Sequence, residues 1–176
     1  MPLPRSPELL SKDKSRLVLV DMQERIVPVI HECDSLTKNC ETLIRAANLS
    51  SIPVSATEQY PKGLGPTVEP LASLITDPPE KLEFSCLNAL TWADRANDDE
   101  SRFQVVVCGI ESHVCVLQTV LDLLSSGFRV YVAADAVSSR KPTDKEFALR
   151  RMESSGAIIT STESVVFEWC ERAGSP

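Results

Sequence analysis

Three side chains in this sequence could combine into nucleophilic chemistry: Asp21, Lys81 and Cys115. Each has an ordinary alternative. Asp21 ends the apolar run Arg16-Leu-Val-Leu-Val20, where an acid often serves as a turn former or helix cap. Lys81 sits in Glu80-Lys-Leu-Glu83, which also reads as a solvated strand edge. Cys115 follows the break Gly109-Ile-Glu-Ser112, in the first turn of a helix. The alternative there is a buried structural thiol, which is the reading for Cys108 inside Val-Val-Val-Cys-Gly. Amide groups and the positive helix end at Cys115 would favour thiolate and could receive an oxyanion. Together the three supply what a thiol nucleophile needs: a base, a cation and, in the backbone around Glu111 to Cys115, oxyanion donors. His113 is a rival base, ranked second because residues two apart on a helix point to different sides.

These groups must be positioned by alternating strands and helices. Buried strands are expected at Arg16–Val20, Ile52–Ala56, Phe103–Ile110, Arg129–Ala133 and Ala157–Thr160, with a weak one at Leu82–Ser85. A helical stripe runs through Leu36, Cys40, Leu43, Ile44 and Ala47 over residues 35–50. Another runs through Val114, Leu117, Val120, Leu121 and Leu124, stopped by Gly127. A helix through Leu87, Leu90 and Trp92 is expected to run toward the acidic stretch Asn97–Glu100. Thr143 and Glu146 suggest a capping box for a helix that Gly156 ends, and Ser164–Cys170 the last helix. Pro61–Pro79, with five prolines, is a long excursion carrying a turn or two around Val68, Leu71 and Leu74. The expected fold is α/β: a doubly wound, mostly parallel sheet flanked by helices on both faces, a Rossmann-like three-layer sandwich. Residues 1–12 read as a loose polar arm and 13–176 as one domain. In such sheets ligand groups gather at the carboxyl ends of strands, and Asp21, Lys81 and Cys115 lie at or near such positions.

Composition narrows the function classes. A net charge of −7 over 176 residues argues against general affinity for nucleic acid or acidic membranes. No apolar run approaches the roughly 18 residues of a membrane span. Six scattered cysteines without a secretory leader read as reduced thiols. With only His31 and His113, a zinc site or a Ser-His-Asp triad has little to draw on.

Five motifs carry a family resemblance. Leu17-Val-Leu-Val-Asp-Met-Gln23, Lys81-Leu-Glu-Phe-Ser85 and Cys108-Gly-Ile-Glu-Ser-His-Val-Cys115 resemble the isochorismatase-like hydrolases, which include nicotinamidases and N-carbamoylsarcosine amidases. Thr57–Thr67 and Asp135–Arg140 look like the isochorismatase domain-containing subgroup, some of whose members are called mitochondrion-associated ribonucleases. The likeness runs from about residue 12 to 170, with the motifs in the family's order.

That resemblance implies a catalytic triad with Asp21 as base, Lys81 as charge partner and Cys115 as nucleophile. It also implies a cis peptide at Ile110–Glu111 that turns the amides of Glu111 and Cys115 toward one oxyanion. The implied substrate is a small amide or related carbonyl compound, cleaved through a thioester. Gln23, Glu58, Gln59, Tyr60 and Phe84 are candidate pocket walls, with packing or capping as the alternative for each. Nicotinamidases bind a metal through an Asp-x-His motif and a further histidine, where this chain reads Thr57-Glu-Gln-Tyr60. No metal and no cofactor is therefore expected, and nicotinamide is a poor candidate substrate. True isochorismatases lack the cysteine, so acyl chemistry is favoured. A homo-oligomer is expected by likeness, with a dimer-forming tail beyond Pro176. The cytoplasm is the expected compartment, mitochondrial association left open. Two readings compete. One is an RNA-cleaving or RNA-binding protein, although nucleic acid is not an expected partner of so acidic a chain, whose basic pairs are Arg140-Lys141 and Arg150-Arg151. The other is a non-catalytic module with a vestigial site, in which Cys115 would react with alkylating agents no faster than an ordinary thiol.

Overall fold

A computed structural model describes residues 5–93 and 102–174. Six parallel strands form one sheet in the order β3-β2-β1-β4-β5-β6. They are β1 (Ser15–Val20), β2 (Val54–Gln59), β3 (Glu80–Lys81), β4 (Gln104–Ile110), β5 (Arg129–Ser138) and β6 (Ile158–Thr160). Every residue of β1 and β4 is buried, as their unbroken apolar runs require of central strands covered on both faces.

Helix α1 (Cys33–Leu49) buries the expected stripe of Leu36, Cys40, Leu43, Ile44 and Ala47, and the single turn α2 (Pro61–Leu64) follows β2. It shares one core with Val165 and Trp169 of α5 (Thr162–Cys170). The opposite face carries α3 (Leu117–Ser125) and α4 (Pro142–Ser154), whose Val120, Leu123, Ala148 and Met152 pack on Val18, Val105, Val107, Val130 and Val132. Helices on both faces make the sheet doubly wound. Its strand order reverses between β1 and β4, which opens a crevice at their carboxyl ends. No helix among the described residues is long and apolar enough to cross a membrane.

Several local expectations are corrected. The strand expected at Leu82–Ser85 is confined to Glu80–Lys81, and Leu82 is exposed. In place of a helix through Leu87 and Trp92 there are two 3-10 turns, Leu87–Ala89 and Thr91–Ala93; the acidic stretch at 97–100 lies outside the described residues. Pro142 opens α4 with Lys141 as its N-cap, so Thr143 lies inside the helix and forms no capping box. A proline fits the first helical position because the amide it lacks has no partner there anyway. A π-type turn at Ser112–Val116 precedes α3 and shifts its phase. The buried side is therefore Leu117, Thr119, Val120 and Leu123, with Val114, Leu121 and Leu124 only partly buried. The described part of the N-terminal arm is not loose. Leu10 is fully buried, its amide donates to Glu168, and Tyr131 donates its hydroxyl to the Glu8 carbonyl.

Candidate active site

Asp21 is the first residue past β1 and turns the chain with a left-handed φ of 50°, a conformation that aspartate tolerates better than most residues. Its amide donates to the Thr57 carbonyl at 3.2 Å, which ties the turn to β2. Its carboxylate is buried and fully engaged. Thr57 Oγ1 donates to Oδ1 at 2.8 Å and Lys81 Nζ to Oδ2 at 2.7 Å. The Cys115 thiol borders the same cavity as this carboxylate and feels its charge.

Lys81 reaches Asp21 from the edge strand across β2. Its side chain is 2% exposed, a depth lysine tolerates only when paired. Besides Asp21, the ammonium donates to Gln59 Oε1 at 2.6 Å and to the carbonyls of Phe84 and Glu83 at 3.0 and 3.2 Å. These bonds use every proton it carries. They also explain the short third strand: carbonyls 83 and 84 curl inward onto Lys81 instead of pairing with β2.

Cys115 lies in the π-type turn that joins β4 to α3, after a cis peptide at Ile110–Glu111. Such turns recur at functional sites. The Glu111 carbonyl accepts the amides of Val114 and Val116 at 3.0 and 3.1 Å, and among the described residues the intervening amide of Cys115 does not join them. The Glu111 carboxylate is anchored by the amide and Nε of Arg140 at 3.0 and 3.1 Å. Beneath the site, Gly109 has a φ of 113° and faces β1 so closely that a Cβ would fall 2.2 Å from the Val20 carbonyl oxygen. Only glycine meets both conditions, so β1 and β4 converge just below Asp21 and Cys115.

The electrostatics correct one expectation. Cys115 does not rest as a helix-stabilised thiolate. Burial pushes the thiol well up, and the Asp21 charge adds to that more than Lys81 takes away. Burial also raises the Asp21 carboxyl, partly offset by the charge of Lys81 and its hydrogen bond. Slow alkylation of Cys115 is therefore expected of this arrangement and does not mark a vestigial site.

Gln59 and Phe84 border a cavity of about 100 Å³ that also touches Ile26, Leu64, Val114 and Cys115. The other candidate wall residues lie elsewhere. Gln23 is fully buried and staples backbone, donating to the carbonyls of Gln59 and Gly65 and accepting the Gln59 amide. Glu58 accepts both the amide and hydroxyl of Thr67, a loop-capping role. Tyr60 is half exposed and borders an outer groove with Lys62 and Glu80. His113 turns from Cys115 toward Ser139 (3.0 Å) and Asp144 (3.8 Å). No group of three His, Cys, Asp or Glu side chains suited to a metal ion occurs among the described residues.

Sequence reasoning missed Thr57 and Cys86. Thr57 Oγ1 gives its one proton to Asp21, so the Cys86 thiol, 3.2 Å away, is the donor to Thr57. The Cys86 amide donates to Thr119 Oγ1, which donates in turn to the Cys115 carbonyl. A polar residue at the tip of β2 could have flagged Thr57; nothing about Cys86 distinguished it from a core thiol.

Comparison with known proteins agrees with this fold. The isochorismatase domain model matches residues 15–164. Isochorismatase domain-containing protein 2 of Danio rerio is 40% identical over 167 residues, covering 95% of this chain and 84% of that protein. The solved structure of the MAR1 ribonuclease from Caenorhabditis elegans superposes with a TM-score of 0.86 at 37% identity, covering 96% of this chain and 87% of that one. The YcaC gene product of Escherichia coli, described as an octameric hydrolase of unknown specificity, shares the fold at a TM-score of 0.82 and 22% identity, over 96% of this chain and 85% of its own.

Proposed function

This chain belongs to the isochorismatase family, and from that premise we propose that it is a cysteine hydrolase acting on a small amide or related carbonyl compound through a thioester. The observation that carries the reading is the buried cluster at the strand-order reversal: a thiol on the same small cavity as a carboxylate that is itself held by a lysine ammonium at 2.7 Å.

As Cys115 Sγ attacks the carbonyl carbon, its proton passes to Asp21, and the carbonyl electron pair moves onto oxygen. The amides of Glu111 and Cys115 receive that oxyanion. The C–N bond then breaks, and the amine or ammonia leaves with the proton from Asp21. A water molecule gives a proton to Asp21 as its oxygen attacks the thioester. The C–S bond breaks, and the sulfur takes that proton back. A carboxyl raised by burial suits this shuttle, because a stronger base takes the thiol proton more readily. Lys81 is the charge partner that keeps the base ionised and aimed. No step calls for a metal or cofactor.

Ammonia release from a panel of small amides, compared between the native chain and Cys115→Ala, tests the reading. It expects release to vanish with the thiol; release that survives overturns it. Complete inactivity of the native chain on amides, ureas and imides would favour a non-catalytic module. RNA cleavage is the second reading, favoured by the name of the C. elegans relative. It predicts salt-dependent binding of an RNA oligonucleotide that is lost on substituting Arg140, Lys141, Arg150 and Arg151. We also propose that residues 13–176 act as one cytoplasmic domain that self-associates. Tyr60, Leu82 and Phe84 leave apolar surface exposed near the site, and sedimentation velocity tests the association.

A further inference from the structure

The cavity beside Cys115 sets limits on what the thiol can acylate. Its volume of about 100 Å³ is the share of roughly three waters and well under the ~150 Å³ of an apolar cavity that binds benzene. Its apolar boundary is made by Ile26, Leu64, Phe84, Ile110 and Val114. The polar side chains on its border are already committed. Gln59 Oε1 accepts from Lys81, and one of the two Nε2 protons goes to the Leu82 carbonyl. Glu111 is held by Arg140, and the Asp21 oxygens by Thr57 and Lys81. Lys81 has no proton left for a substrate. Among the described side chains on its border, a substrate carboxylate would find no cation free to pair with it, only the second Nε2 proton of Gln59, and two carboxylates for neighbours.

We propose that the acyl group accepted by Cys115 is short, uncharged and aliphatic, roughly two to four carbons by that volume comparison. This deepens the hydrolase reading and rests on it. Aromatic acyl groups are excluded by size. Acyl groups carrying a second carboxylate are excluded because their charge would be buried without a partner.

The test has two arms. In the first, kcat/KM is measured for propionamide, isobutyramide, benzamide, nicotinamide and the monoamide of succinate. The aliphatic amides should exceed the other three by at least ~100-fold, the scale of discrimination expected when bulk or an unpaired charge enters an apolar pocket. Leu64→Ala widens the cavity and should move the benzamide-to-propionamide ratio upward by at least ~10-fold. In the second arm, the native protein is alkylated with iodoacetamide or iodoacetate, and each cysteine is followed by mass spectrometry. Exposed Cys170 is the internal reference. Relative to it, Cys115 should favour the neutral reagent by at least ~10-fold, since only the anion must leave water without a partner.

Cys115-dependent turnover led by benzamide, nicotinamide or the succinate monoamide overturns the inference and leaves the hydrolase reading standing. Absence of Cys115-dependent turnover on every amide overturns the hydrolase reading. The alkylation arm then judges the cavity by itself: a preference for iodoacetamide at Cys115 over Cys170 supports the inference, and equal reagent ratios at the two overturn it.

Discussion

Asp21→Asn should make Cys115 more reactive toward an alkylating agent while it abolishes hydrolysis. The carboxylate proposed to accept the thiol proton is, in the resting protein, a negative charge beside the sulfur, and it raises the thiol along with burial. Two unit charges about 4 Å apart at an effective dielectric near 20 interact by roughly 4 kcal/mol. Removing that repulsion increases the thiolate population at fixed pH by about a thousandfold, at ~1.4 kcal/mol per factor of ten. A less basic thiolate is also a weaker nucleophile, with a Brønsted slope near 0.5, so the net gain in alkylation rate is about thirtyfold. Lys81 stays in place to attract the thiolate, because Gln59 and the carbonyls of Glu83 and Phe84 still hold it. The assay is the rate of iodoacetamide incorporation at Cys115 near pH 8, read peptide by peptide, with Cys170 as control and circular dichroism to confirm folding. An unchanged or slower rate in a folded variant would refute the idea that Asp21 keeps the thiol protonated. Retained hydrolysis would refute its role as base.

Other perturbations have equally definite outcomes. Lys81→Met leaves a buried carboxylate without its cation and should cost about 3–5 kcal/mol of stability. Because the folded-state value of Asp21 is raised, the folded chain binds that proton more tightly, so the deficit should shrink as pH falls; urea denaturation at two pH values checks this, and a constant deficit contradicts it. Burial pushes the Cys86 thiol from 9.0 up to about 11. The stability tied to its neutral form is complete below pH 9 and is lost as pH rises toward 11, an amount near 3 kcal/mol. Cys86→Ala should flatten the alkaline limb of the stability curve by about that much, and an unchanged limb would show that Cys86 does not titrate there. Gly109→Ala drives a Cβ into the Val20 backbone from a left-handed φ and should cost roughly 3–4 kcal/mol, read as a lower denaturation midpoint. A neutral effect would mean that β1 and β4 can separate freely.

The parts of this protein most legible in its sequence are those where burial alone decides. β1 and β4 announce themselves as unbroken apolar runs because helices cover both their faces, and the stripe of α1 is pure 3.6-residue periodicity. Asp21 and Cys115 stand out as polar or reactive residues just past such runs. What stayed hidden depends on contacts between distant segments. The polar tip of β2, Thr57-Glu-Gln59, reads as loop, yet it is paired with both neighbouring strands while its side chains serve Asp21, Thr67 and Lys81. Leu82–Ser85 alternates like a strand but is drawn out of the sheet by the Lys81 ammonium. The π-type turn carrying Cys115 offsets the face of α3, and no local composition signals it. The helix-start argument for a thiolate failed because burial and a facing carboxylate outweigh a partial backbone charge and the Lys81 cation together.

The central claim is that Cys115 carries the acyl group between amide and water. It is tested most directly by mixing the enzyme with propionamide, quenching in acid within the first turnovers, and weighing the Cys115 peptide. The account predicts a mass increase of one propionyl group on that peptide, absent from Cys115→Ala. Steady hydrolysis by Cys115→Ala, or a propionyl group found on another residue of a fully active enzyme, would contradict it.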